Sequence, residues 1–296
     1  MFSLEVIQKK KQIAKRPSWL RIKAPLGENY KKLKQLIGQK RLHTVCESAA
    51  CPNIGECWRS GTATFMLMGN ICTRACRFCD VISDQRPAPI DLDEPKRLID
   101  AIKQMNLKHV VLTSVTRDDL PDGGASYLAS CIRLIRKNIK KVSIEILTPD
   151  FNGKFAQVET VLDSNPEIFN HNIETIARLT RKIRAKATYQ RSLDVLKHAK
   201  TYAPDIKSKS SIMLGLGESI EEVKISLTDL RNHGVDIATL GQYLRPSPQH
   251  IAVAKYINPK EFWALKEFGY SLGFSHVESG PFVRSSYLAH KSLYSA

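Results

Sequence analysis

No stretch of the sequence approaches the roughly 18 to 20 apolar residues that cross a bilayer. The opening MFSLEVIQKKKQ has neither the apolar stretch nor the small-residue cleavage site of a secretory signal. A soluble, cytoplasmic protein that does not act on membranes is expected. Acid is in short supply: 29 Asp+Glu face 45 Lys+Arg, a formal net charge of +16 over 296 residues. Cysteine is rare outside one window, for Cys46, Cys51, Cys57, Cys72, Cys76 and Cys79 lie close together and Cys131 stands apart. A secreted disulfide scaffold is short and cysteine-dense throughout, so this clustering points to metal ligation or redox chemistry in a reducing compartment.

The missing acid is felt mostly at one end. Residues 9–41 carry 12 Lys/Arg against one acid, Glu28. Such a segment is either a solvated arm, above all at residues 1–15, or a docking surface for an acidic partner. Nucleic acid is disfavoured, because no helix-turn-helix, zinc-finger or RNA-recognition pattern accompanies the charge and only Trp19 and Tyr30 could stack. Glu5 weighs against an organelle-targeting peptide.

No linker rich in Pro, Gly or Ser divides the chain, and 43% hydrophobic residues suffice for a sizeable core. Short apolar runs alternate with helical spacings. Strands are predicted at Thr62–Met68, His109–Ser114, Val142–Leu147, Ile168–Asn172, Ser211–Leu214, Ile237–Leu240 and Ser275–Glu278. Helices are predicted at Pro95–Asn106, Ala125–Lys137, Lys154–Asp163, Thr188–Tyr202, Ile220–His233 and Pro259–Leu272. Repeated βα units imply an α/β fold with a parallel sheet and right-handed crossovers. About seven strands suit a partial or full TIM-type barrel. A dinucleotide-binding sheet is disfavoured, because cysteines and not GxGxxG follow the first strand.

The segment CTRACRFCD (72–80) spaces three thiols by three and two residues. Three thiolates on one loop can hold three corners of a cubane iron–sulfur cluster and leave the fourth iron open to a small molecule. A structural zinc site is the alternative, though such sites use four protein ligands, commonly from two CxxC halves. The other group, Cys46, Cys51 and Cys57, also offers three thiols. Cys131 sits in a helical pattern with Leu128, Ile132 and Ile135 and is expected to be a buried, inert thiol. His109 and His171 flank strands and are not expected to act as acid or base. The turn Gly215, Leu216, Gly217, Glu218 could bring backbone to a nucleoside or simply lead a strand into a helix.

The CxxxCxxC loop after the first barrel strand, with aromatic Phe78 before its last cysteine, resembles that of radical S-adenosylmethionine enzymes. Within that superfamily the chain is similar to the lipoyl synthase family. The motifs that carry this are PSWLR (17–21), CESAACPNIGECW (46–58), TRDDLPDGGA (116–125), PEIFNHNIET (166–175), GLGESIEEV (215–223), LGQYLRPS (240–247) and GPFVRSSYLA (280–289). Ala75, Arg77 and Ser219 depart from the usual pattern, none at a ligand position. The resemblance implies a 4Fe-4S cluster on Cys72, Cys76 and Cys79 that binds S-adenosylmethionine. It also implies an auxiliary 4Fe-4S cluster on Cys46, Cys51, Cys57 and the oxygen of Ser286. Phe78, Asn172, Glu174, Gly215, Gly217 and Glu218 become candidate contacts for the adenosylmethionine, and no side chain is itself the catalyst. The implied organisation is a basic extension with auxiliary-cluster cysteines (1–60), a barrel (61–280) and a C-terminal segment carrying RSSY (281–296). Two sulfur insertions, at C6 and C8 of a protein-bound octanoyl chain, are the implied reaction. The implied partners are octanoylated lipoyl-carrier domains, such as dehydrogenase-complex subunits or the glycine-cleavage carrier, and an electron donor such as ferredoxin or flavodoxin. A zinc-binding nucleic-acid module built on the basic segment is the competing class.

Overall fold

The computed structural model describes residues 16–21, 28–48, 51 and 53–293. The expected arm at residues 1–15 therefore lies outside the described residues. In chain order come α1 (Glu28–Gln39), β1 (His43–Thr44), α2 (Val45–Ser48), α3 (Ile54–Arg59), β2 (Thr62–Leu67), β3 (Ile71–Cys72) and β4 (Ile82–Ser83). There follow α4 (Glu94–Gln104), β5 (His109–Ser114), α5 (Ala125–Asn138), β6 (Ser143–Leu147), α6 (Phe155–Leu162) and β7 (Ile168–Asn170). The last third is α7 (Ala177–Ile183), α8 (Tyr189–Tyr202), β8 (Lys207–Leu214), α9 (Ile220–Asn232), β9 (Ile237–Gln242), α10 (Pro259–Ser271) and β10 (His276–Gly280).

Seven strands pair in parallel in the order β2-β5-β6-β7-β8-β9-β10, and β1 adds antiparallel to the outer edge of β2. The sheet ends at β1 and β10 without joining them, so of the two barrel forms expected the partial one is found. β3 and β4 make a separate two-stranded ribbon. Among the described residues, no helix is long and apolar enough to cross a membrane.

Local chemistry accounts for the helix starts. Ser219 and Glu222 form a reciprocal capping box at α9; Asn258 and Glu261 do the same at α10, where Pro259 takes the first helical position. Two differences from expectation have physical causes. β8 begins at Lys207, four residues before the predicted Ser211, because its polar run KSKS is paired by β7 over Lys207–Lys209 and by β9 from Lys209 on. α7 was not predicted; its seven residues show too few apolar repeats to stand out.

Strand alternation sorts the side chains. Val110 and Leu112 of β5, Ile144 and Ile146 of β6 and Phe169 of β7 enter one apolar layer beneath the helices. Ile212 and Leu214 of β8, Ala238 and Leu240 of β9 and Val277 of β10 enter a second. The intervening residues, among them His109, Glu145, Asn170, Lys209 and Thr239, consequently face the barrel interior. That interior is polar on several strands, unlike a barrel filled with branched apolar side chains.

Candidate functional site

Cys72, Cys76 and Cys79 lie on the loop that leaves the C-terminal end of β2, and neighbouring loops grip it. Thr73 N–H donates to Thr116 O (3.0 Å), Arg77 N–H to Ile183 O (2.9 Å) and Ile251 N–H to Arg77 O (3.1 Å). These partners follow β5, β7 and β9, so the loop is held over the carboxyl ends of the strands. Backbone amides also point at the sulfurs: those of Arg74 and Thr116 at Cys72 Sγ (both 3.4 Å) and that of Ala185 at Cys76 Sγ (3.3 Å). Buried Arg74 fastens the loop from below, pairing with Asp118 and Asp150 at 2.8 Å each. Phe78 is half-buried against the second apolar layer.

The other triad is built at the opposite end. Cys46, Cys51 and Cys57 line a small pocket with Thr62 and Thr64 from the start of β2, and Arg284, Ser286 and Tyr287 close it. Ser286 is on its wall; Ser285 is not among the lining residues. Three contacts bring residues so distant in sequence together. Asn53 Nδ2 donates to Phe282 O at 2.6 Å, Tyr287 OH donates to Glu56 at 3.2 Å and the backbone of Leu288 reaches Cys57. Gly241 gives the segment room, since a Cβ there would stand 2.0 Å from Val283 O.

Burial pushes the thiols up: Cys46 and Cys79 to about 12, Cys57 to about 11, and Cys51 and Cys76 in the same direction. Such thiols ionise only when a cation neutralises them, as a metal centre does. Among the described residues, no three His, Cys, Asp or Glu side chains are disposed to hold one metal ion. A cubane instead takes each thiolate on a separate iron, so three thiols lining one pocket, with a hydroxyl beside them, fit a cluster.

The candidate adenosylmethionine contacts divide. Asn172 Nδ2 donates to Glu174 Oε1 (3.0 Å), and Glu174, at φ +64°, has its carboxyl pushed up by burial with Arg184 opposing. Both lie just past β7, on the side of the Cys76 loop. Arg184 is a group that sequence reasoning missed: half-buried, held by Ile173 O and Ser192 Oγ, and electrostatically coupled to both Glu174 and Cys76. Nothing in RKIRAK marks it, because one Arg among four cations looks like surface charge. Gly215 (φ +98°) and Gly217 (φ +113°) make the expected turn. Glu218, however, spends its carboxylate inside that turn, on the amides of Gly215 and Leu216, and so acts there as a turn-former. Cys131 is buried in α5 and pushed up to about 12, an inert thiol as expected. His109 and His171 are fully internal.

A profile of the Radical SAM superfamily matches residues 66–230, and one for the N-terminal domain of lipoyl synthase of the Radical SAM family matches residues 2–51. The lipoyl synthase of Rubrobacter xylanophilus is 53% identical over 276 residues, 93% of this chain and 86% of that protein. That of Thermus thermophilus is 52% identical over 277 residues, again 93% and 86%. That of Bacillus cereus is 51% identical over 289 residues, 97% of each. Among solved structures, methylornithine synthase (TM-score 0.55, 15% identity, 81% of this chain and 72% of that) shares the fold. So does HydG, a maturase of the [FeFe]-hydrogenase (TM-score 0.55, 15% identity, 88% and 70%). Half-identity sustained over nearly the whole length, across both cysteine groups and the RSSY segment, decides the matter: the chain belongs to the lipoyl synthase family of radical S-adenosylmethionine enzymes.

Proposed function

We propose that the protein converts an octanoyl chain, held as an amide on a carrier domain, into the lipoyl group by sulfur insertion at C6 and C8. The observation that supports this is the placement of two thiol triads at opposite ends of one barrel interior. Carbons of this kind have no acidity that a side chain could exploit, so the protein must supply binding and orientation while cofactors supply reactivity. When bound, two 4Fe-4S clusters and adenosylmethionine furnish the electron, the hydrogen-abstracting radical and the sulfur.

The chain's own residues take definite tasks. Cys72, Cys76 and Cys79 hold one cluster and leave an iron open, with amides of Arg74, Thr116 and Ala185 stabilising the sulfur charge. Phe78, Asn172, Glu174 and the Gly215–Gly217 backbone contact the adenosylmethionine, and Arg184 orients Glu174. Cys46, Cys51, Cys57 and Ser286 hold the auxiliary cluster. The interior faces of the strands exclude water from the acyl chain between them. Residues 1–60, 61–280 and 281–296 serve as extension, barrel and closing segment. A cytoplasmic site of action, a carrier from a dehydrogenase complex or the glycine-cleavage system, and ferredoxin or flavodoxin as donor complete the proposal.

The test is mass spectrometry of an octanoylated carrier domain incubated anaerobically with reconstituted protein, adenosylmethionine and a reductant. Two added sulfurs per acyl chain are expected. An unchanged acyl mass, from protein with full iron and sulfide, overturns the proposal.

A further inference from the structure

Between the two triads the barrel interior holds a polar group that neither triad uses. Glu145 on β6 and Lys209 on β8 are 0% and 1% exposed and pair at 2.9 Å. The other carboxylate oxygen accepts from Asn170 Nδ2 on β7 at 2.7 Å. His109 Nε2 on β5 stands 3.9 Å from the same carboxylate, while its Nδ1 lies 2.8 Å from Ser143 Oγ. A buried ion pair is a poor way to gain stability, because desolvating both charges offsets their attraction. Fold energetics therefore leave this cluster unexplained.

Its unspent atoms are informative. Among the described residues, Asn170 Oδ1 and His109 Nε2 are buried without a hydrogen-bond partner. An ammonium carries three N–H donors, and among the described residues Lys209 spends one, on Glu145. Asn170 and Lys209 are direct partners in the β7–β8 register, so a bare acceptor and bare donors stand on adjacent strands about 4.8 Å apart. Glu145 holds both in place, and the bond from Nδ2 fixes which way the Asn170 amide points. A group that donates one hydrogen bond and accepts another beside it is a secondary amide.

We propose that Asn170 and Lys209 form a subsite for the acyl amide of the substrate, Asn170 Oδ1 accepting its N–H and Lys209 Nζ donating to its carbonyl. This rests on the octanoyl-carrier function proposed above. Register locates the subsite within the barrel. Thr64, which lines the Cys46–Cys51–Cys57 pocket, pairs with Val111, and Val111 pairs with Glu145. The pocket and Glu145, which holds both subsite residues, thus share one row of the barrel, two strand spacings or about 9 to 10 Å apart. Asn170 and Lys209, in one row with Leu147, lie two residues further toward the carboxyl ends of the strands. The same atoms disfavour an ester, which has no hydrogen for Asn170 Oδ1, and a free carboxylate, which would face that oxygen with another acceptor.

The experiment measures calorimetric binding to iron-loaded protein with adenosylmethionine present. The probes are a peptide bearing Nε-octanoyl-lysine and its ester isostere, in which oxygen replaces the amide nitrogen. The ester should bind about 5- to 150-fold more weakly, the cost of leaving one buried acceptor unpaired. In Asn170→Leu, affinity for the amide should fall to that for the ester and the ratio should approach one. Equal affinities in the wild type overturn the subsite whether or not that variant folds, and assign the unspent atoms to ordered water. An undiminished ratio in folded Asn170→Leu also overturns it. Binding of neither probe by iron-loaded protein overturns the octanoyl-carrier function itself, and the subsite with it.

Discussion

At the residue scale the thiols differ by what surrounds them, and the difference can be tested. Replacing Cys72, Cys76 and Cys79 with Ala removes every protein ligand from the loop over the strands' carboxyl ends, so adenosylmethionine cleavage should vanish. Replacing Cys46, Cys51 and Cys57 should leave cleavage measurable by chromatography while sulfur insertion stops. Ser286 is the odd member of its pocket, since an alkoxide is a harder donor than thiolate and suits iron–sulfur iron less well. It is accordingly expected to be the ligand that lets go. Ser286→Cys should hold iron and sulfide more firmly and slow product formation; Ser286→Ala should lose them to a chelator faster; both should keep cleavage. Ser285→Ala is the control, and its inactivity beside wild-type rates in both Ser286 variants would transfer the ligand role. His171 offers a different readout. Burial pushes it down from 6.5 to about 4, so the unfolded chain takes up a proton between those values while the folded chain does not. Stability from this site is complete above 6.5 and declines by roughly 3 kcal/mol as pH falls toward 4. Urea midpoints across that range should show the decline, and His171→Gln should flatten it.

At the element scale the closing segment is the vulnerable part, because its route depends on a missing side chain. A methyl at position 241 would meet the Val283 carbonyl, which is backbone and cannot rotate away. Gly241→Ala should displace residues 282–287, cost about 1 to 3 kcal/mol as overpacking, and empty the Cys46–Cys51–Cys57 pocket of iron without touching adenosylmethionine cleavage. Wild-type iron and sulfide content in that variant would show that the segment has another way to seat Ser286. None of this was legible from residue order. The strands with continuous apolar runs were, and β5 matches its predicted limits, because Val110–Leu112 is an unbroken apolar run buried on both faces. β8 was half-hidden for the opposite reason: Lys207, Ser208, Lys209 and Ser210 look like a loop, and the inward pair of Lys209 with Glu145 exists only once β6 and β8 are neighbours of β7. Thiol spacing within each triad could be read directly. The pairing of Cys57 with Ser286 came through resemblance, and Arg184 came not at all, since only the fold decides which of several cations turns inward to Ile173 O and Ser192 Oγ.

At the scale of the whole molecule the charge is lopsided, and part of its described portion lies on α1. Lys31, Lys32 and Lys34 are exposed on that helix, whose Ile37 is buried against the first apolar layer. The helix is thereby fixed to the body that carries the Cys46–Cys51–Cys57 pocket. A basic face so placed suits a carrier domain bearing acid, with charge guiding the encounter more than holding the complex. Attraction between exposed charges is screened beyond roughly 8 to 10 Å at physiological ionic strength. Affinity for an octanoylated carrier should consequently weaken steadily along a salt series. Reversing the three lysines to Glu should weaken it by a further 1 to 2 kcal/mol or so, given the modest worth of each exposed pair, and flatten the salt slope. Adenosylmethionine cleavage should not change. Binding of a short octanoyl-lysine peptide, which lacks the carrier's surface, should be equally indifferent to reversal. A carrier affinity that ignores both salt and reversal would leave the lysines a solubilising role and move recognition to the barrel interior.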